Sequence, residues 1–139
     1  MEITANALQT VQANQNVIFT DTAVCGSNSI IHREGSGLVS LRGLTNQCRA
    51  RFKVFFSGNV AIPTGGTVGP ITLAISIDGE AIGSTTMIST PAAVEVFNNI
   101  ATAIYLNIPC NCCSQVSVKN IGTEAIEVQN ANLIIERVA

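Results

Sequence analysis

The residues of this chain best equipped for chemistry are its five cysteines, Cys25, Cys48, Cys110, Cys112 and Cys113. The last three fall in one short run, Cys110-Asn111-Cys112-Cys113. Thiols can bridge, ligate zinc, attack as nucleophiles, or fill a core as small apolar groups. A zinc site usually shows two Cys-x2–4-Cys pairs. Here one dense cluster stands apart from two isolated cysteines, so disulfides come first, buried thiols second and metal third. Neighbours in an extended chain point to opposite sides. Cys112 and Cys113 therefore seek different partners, since bridging to each other departs from normal disulfide geometry. The expectation is that at least one of Cys110, Cys112 and Cys113 is bridged. Cys25 or Cys48 is the natural intrachain partner, and a neighbouring chain is the other choice. The odd count leaves one thiol over unless it crosses to another chain.

Disulfides persist in oxidising surroundings. Yet the start, Met1-Glu2-Ile3-Thr4-Ala5-Asn6, has neither the basic region nor the apolar run of a secretory signal. A protein made in the cytoplasm and exposed later, on a virus particle or a spore, satisfies both conditions.

Other chemistry finds little support. His32 is the one histidine, in Ile31-His32-Arg33-Glu34-Gly35, and no spacing pairs it with a cysteine as base and nucleophile. The carboxylates are scattered, and no acid–base pair stands out. Thr64-Gly65-Gly66-Thr67-Val68-Gly69-Pro70 lacks the Gly-Lys-Ser/Thr ending of a phosphate loop and reads as a connection between strands. No catalytic residue, cofactor site or metal site is nominated. Seven basic and nine acidic residues give a net charge of −2, so there is no basic field to gather nucleic acid. Arg49, Arg51 and Lys53 would line one face of a strand, solvated or paired across subunits. No apolar run is long enough to span a membrane.

The elements that must carry these residues are strands. Ile71, Leu73, Ile75 and Ile77 alternate with Thr72, Ala74 and Ser76, and Asp78-Gly79 follows at once, a strong hairpin signal. Phe52, Val54 and Phe56 form one face of another strand. Ile100, Thr102, Ile104, Leu106 and Ile108 give a third alternation, with the 110–113 cysteines in a loop beyond it. Leu133-Ile134-Ile135-Glu136-Arg137-Val138 has little polar relief and reads as a central or covered strand. Val17-Ile18-Phe19 and Ile30-Ile31 read as short strands within residues 1–35, a less regular segment suited to docking. Turn signals at regular spacing indicate a sandwich or barrel in one domain, 1–139. With 47% apolar and only 12% charged residues, part of the surface is expected to be buried against other subunits.

Residues 51–139 resemble the C-terminal domain of collagen-like glycoproteins of the Bacillus exosporium, which has the jelly-roll fold of the tumour necrosis factor and C1q families. The likeness lies in four stretches taken in order. Arg51-Phe52-Lys53-Val54-Phe55-Phe56 is similar to an alternating family strand. Residues Ile71 to Ile82 are similar to its strand, Asp-Gly, strand hairpin. Gln115-Val116-Ser117-Val118-Lys119-Asn120 is similar to its penultimate segment, and Ala131 to Ala139 to its closing strand. The resemblance implies a homotrimer with a tightly packed axis and no enzyme activity. This chain departs from the family in lacking a Gly-x-y tract and in carrying the Cys110–Cys113 cluster. Small stand-alone jelly rolls of this kind also resemble decoration or fibre proteins of phage heads.

The sequence thus predicts an antiparallel jelly roll of about eight strands, without long helices. Phe52, Val54, Phe56, Leu73, Ile75, Ile104 and Leu106 are expected to be buried. The function expected is a non-catalytic homotrimer on the outside of a bacteriophage capsid, or alternatively on a spore surface. A glycan- or receptor-binding module is a further alternative, disfavoured by the absence of Trp and the single Tyr105.

Overall fold

In a computed structural model that describes residues 1–26, 28–43, 49–109 and 113–138, alternation along the strands builds two six-stranded antiparallel sheets. The front sheet contains β1 (Glu2–Ala5), β2 (Gln9–Val11), β3 (Asp21–Val24), β6 (Arg49–Ala61), β10 (Asn98–Pro109) and β12 (Ile126–Arg137). Its order is β10-β6-β12-β1-β3, with β2 also pairing β12. The back sheet contains β4 (Ile30–His32), β5 (Val39–Arg42), β7 (Ile71–Ile77), β8 (Glu80–Ala81), β9 (Met87–Ser89) and β11 (Cys113–Asn120). Its order is β4-β5-β11-β7-β8, with β9 also pairing β7. The only helical element among the described residues is a 3-10 turn, Gly83–Thr85. The chain is a jelly-roll sandwich.

The core lies between the sheets. From the front come Phe52, Val54, Phe56, Leu133 and Ile135, and from the back Leu41, Leu73, Ile75, Val116 and Val118. Phe19 meets the Phe56 ring edge-on at 6.4 Å between centroids. Burying each of these side chains contributes about 1.5–3 kcal/mol. The closing segment forms β12, a central strand held between β6 and β1. Gly58 of β6 faces a bulge in β12 between Gln129 and Asn132. A Cβ there would come 3.2 Å from the Phe56 ring and 3.5 Å from Ala131 Cα.

Asp78-Gly79 makes the expected hairpin. Ile77 pairs with Glu80 across two residues at φ 51° and 86°, the left-handed pair that matches strand twist. Asp78 Oδ1 then accepts the Gln115 N–H at 2.9 Å, tying the turn to β11.

Three expectations need correction. Twelve strands form among the described residues rather than about eight, because pairs of two to four residues are too short to show alternation. Val17-Ile18-Phe19 is not a strand; Val17 and Phe19 pack in the core as a connection, with the Val17 N–H on the Val118 carbonyl. Ile104 is half-buried rather than buried, because β10 is the edge of the front sheet. Phe52, Val54, Phe56, Leu73, Ile75 and Leu106 are buried as expected. Residues 1–35 contribute β1, β2 and β3 to the front sheet and β4 to the back.

Candidate assembly face

The outer surface of the front sheet carries a continuous apolar row. On β10 the outward residues are Asn99, Ala101, Ala103, Tyr105 and Asn107, all exposed. Register sets them beside β6 and β12. Ala103 stands across from Phe55, and Phe55 from Ile134, giving an apolar row over three strands. Tyr105 lies next to this row at 62% exposure, and Ile134 is 37% exposed. Ala101 and Ser57 form the next row, small enough for a second backbone to approach. The outward back sheet carries Ser40, Gln115 and Lys119, with Ser76 and Ser117 buried between them, and two separate exposed apolar residues, Ile31 opposite Ser40 and Ile88 opposite Thr72. The front face is the one with a continuous apolar row, and it ends at β10, the edge strand of the front sheet.

Polar groups frame this patch. At one side Asn99 Nδ2 donates to Asn59 Oδ1 at 3.2 Å, and Asn59 Nδ2 donates to Asn130 Oδ1 at 3.3 Å. Asn132 Nδ2 donates to the Glu2 carboxylate. At the other side Lys53 opposes both Tyr105 and Glu136 in register, and Arg51 Nε donates to Asn107 Oδ1 at 3.4 Å. Arg51 and Lys53 of the basic cluster thus flank the apolar row, and Arg49 opens the same strand.

The cysteine expectations fall mostly elsewhere. Cys48, Cys110 and Cys112 lie outside the described residues. Cys25 is an exposed free thiol just after β3, and Cys113 is exposed at the start of β11. His32 joins neither. Its Nε2 donates to the Ser36 carbonyl at 2.9 Å, its ring meets Phe19 edge-on, and its Nδ1 is buried without a partner. Among the described residues no three His, Cys, Asp or Glu side chains converge as metal ligands.

A cavity of about 240 Å³ opens at the end of the sandwich away from the chain termini, lined by Ile62, Val68, Pro70, Asn120 and Glu124 among others. Its lining contains neither histidine nor cysteine. Close by, Glu95 and Glu127 lie in hydrogen-bond contact, a pair that sequence reasoning missed. Their separation along the chain gives no local signal, and only the fold brings them together. No helix among the described residues is long and apolar enough to cross a membrane.

No protein-family model and no curated protein matches the chain. Among solved structures it is similar to the globular domain of zebrafish complement 1qA protein. That likeness covers 96% of this chain and 93% of the other, with a TM-score of 0.61 and 12% sequence identity. At that identity the likeness is one of fold, the two-sheet jelly roll of the C1q type.

Proposed function

We propose that this chain is a non-catalytic structural module that assembles as a homotrimer through its front face on the outside of a particle, with a bacteriophage capsid as the favoured setting. The apolar row Ala103, Phe55 and Ile134, with Tyr105 beside it, carries this reading. A face of that kind is hidden when identical copies close around an axis. The half-buried Ile104 at the sandwich edge would gain cover from the same contact. The C1q-type fold supports a non-enzymatic, threefold module, and the low charge fraction of 12% supports a chain that shares its surface. The four stretches similar to exosporium domains support a spore surface as the second setting.

Bridged cysteines belong to the same proposal. Pro109 and Arg49 are register partners at the end of the β10–β6 ladder. Cys110 and Cys48 are their chain neighbours, which supports a bridge from Cys48 into the 110–113 segment. It would close a loop of about 60 residues and stabilise the fold by about 4 kcal/mol. A particle that leaves the reducing cell gives such a bridge its oxidising surroundings.

Multi-angle light scattering on the purified chain at micromolar concentration tests the assembly. The expected mass is about three times 14.5 kDa. A mass of one chain would remove the proposal.

A further inference from the structure

Glu127 lies on β12 opposite Thr10 of β2 and Ala61 of β6, and is only 7% exposed. The group that meets it is Glu95, from the 90–97 connection between β9 and β10. Glu95 is held at φ 60°, a conformation that a non-glycine residue keeps only when its surroundings fix it. Here they do. The Glu95 N–H donates to the Ile62 carbonyl at 2.8 Å. Glu95 Oε1 accepts from the Thr64 N–H at 2.8 Å and from the Thr64 hydroxyl at 2.9 Å.

Two carboxyls in hydrogen-bond contact need one proton between them, because two like charges so close cannot both stand ionised. Both Thr64 donors aim at Glu95, which makes it the ionised acceptor. Glu127 Oε1 is buried and receives no donor, as expected of the partner that carries the proton. Contact with Glu95 and burial hold Glu127 above the usual carboxylate range. The hydrogen bonds from Glu127 and Thr64 hold Glu95 below it. The other neighbours of Glu127 in the sheet, Thr10 and Ala61, do not titrate in this range, so Glu95 is the charged group that faces it.

We propose that Glu95 and Glu127 form a one-proton latch that fixes the 90–97 loop against the Ile62–Thr64 turn and the start of β12. The loop carries the exposed apolar residues Val96 and Phe97 directly before β10, so the latch sets the rim of the front face. The turn continues into the cavity wall at Thr67–Ile71, so opening loosens that wall as well. The contribution of Glu127 is complete below its unfolded value and is lost as pH rises through its raised folded value. That of Glu95 is present above its unfolded value and is lost as pH falls through its lowered one. The latch is therefore tightest between the two and opens on the alkaline side of Glu127.

Carbon-detected NMR of the side-chain carboxyls, followed with the Thr64 amide across pH in the full chain, tests the latch whatever the oligomeric state. Glu127 is expected to titrate at higher pH in the native chain than in Glu95→Gln, and the Thr64 amide to move with it. In Glu127→Gln the amide side chain keeps donating to Glu95, so the alkaline movement of Thr64 should vanish. An unchanged Glu127 titration in Glu95→Gln, or an unchanged Thr64 movement in Glu127→Gln, would overturn the proposal.

Discussion

Asn120 is fully buried at the end of β11, and its side chain holds three backbone groups at once. Its Nδ2 donates to the Val11 carbonyl at 3.2 Å and the Glu124 carbonyl at 2.9 Å, and its Oδ1 accepts the Gly122 N–H at 3.0 Å. Each net hydrogen bond is worth about 1 kcal/mol, and orphaned buried groups cost more. Asn120→Ala is expected to lower stability by roughly 3 kcal/mol in urea unfolding. A loss within about 0.5 kcal/mol, the level of an ordinary surface change, would contradict that account. In the sequence Asn120-Ile121-Gly122 announces a turn, and nothing more can be read there. Which carbonyls the amide reaches depends on β2, more than a hundred residues earlier. The same limit hid Glu95 and Glu127. The cysteines were legible as a group, but their pairing was not. Thiol-blocking mass spectrometry of the exported or particle-bound protein is expected to show fewer than five blocked thiols per chain; five would leave the free-thiol reading standing.

Strands were the legible level. The hairpin at Asp78-Gly79 followed from its own residues, because only a residue free to take φ 86° closes that turn without strain. Gly79→Ala is expected to cost about 1–2 kcal/mol through left-handed strain alone, since a Cβ at Gly79 meets open space. Equal stability by urea titration would show that the turn relaxes. Long strands such as β6 and β10 declared themselves by period two. Pairs of two to four residues did not, since so few positions cannot show a period. Alternation also assigned Ile104 to the inward face without saying that β10 would be an edge. Edge position is a property of strand order, which period two does not encode. The outward residues of β10 did hold a signal: Ala101, Ala103 and Tyr105 occupy positions where a solvated strand would carry charge.

At the scale of the whole molecule, a chain with 12% charged residues lays a continuous apolar row across the outer face of the front sheet. Such a row suits a closed ring of copies, because every copy hides the same patch. A stable contact of this kind should bury more than about 1,000 Å² per pair. The most direct test puts a charge at the centre of the face while leaving the core untouched. Ala103 is exposed and opposite Phe55, so Ala103→Arg should fold normally and keep the strand-dominated circular dichroism spectrum. Sedimentation equilibrium of the two proteins side by side gives the answer. The native chain is expected at about three times 14.5 kDa and Ala103→Arg at 14.5 kDa. A native chain sedimenting at 14.5 kDa, or a variant that keeps the full trimer mass, would contradict assembly through the front face.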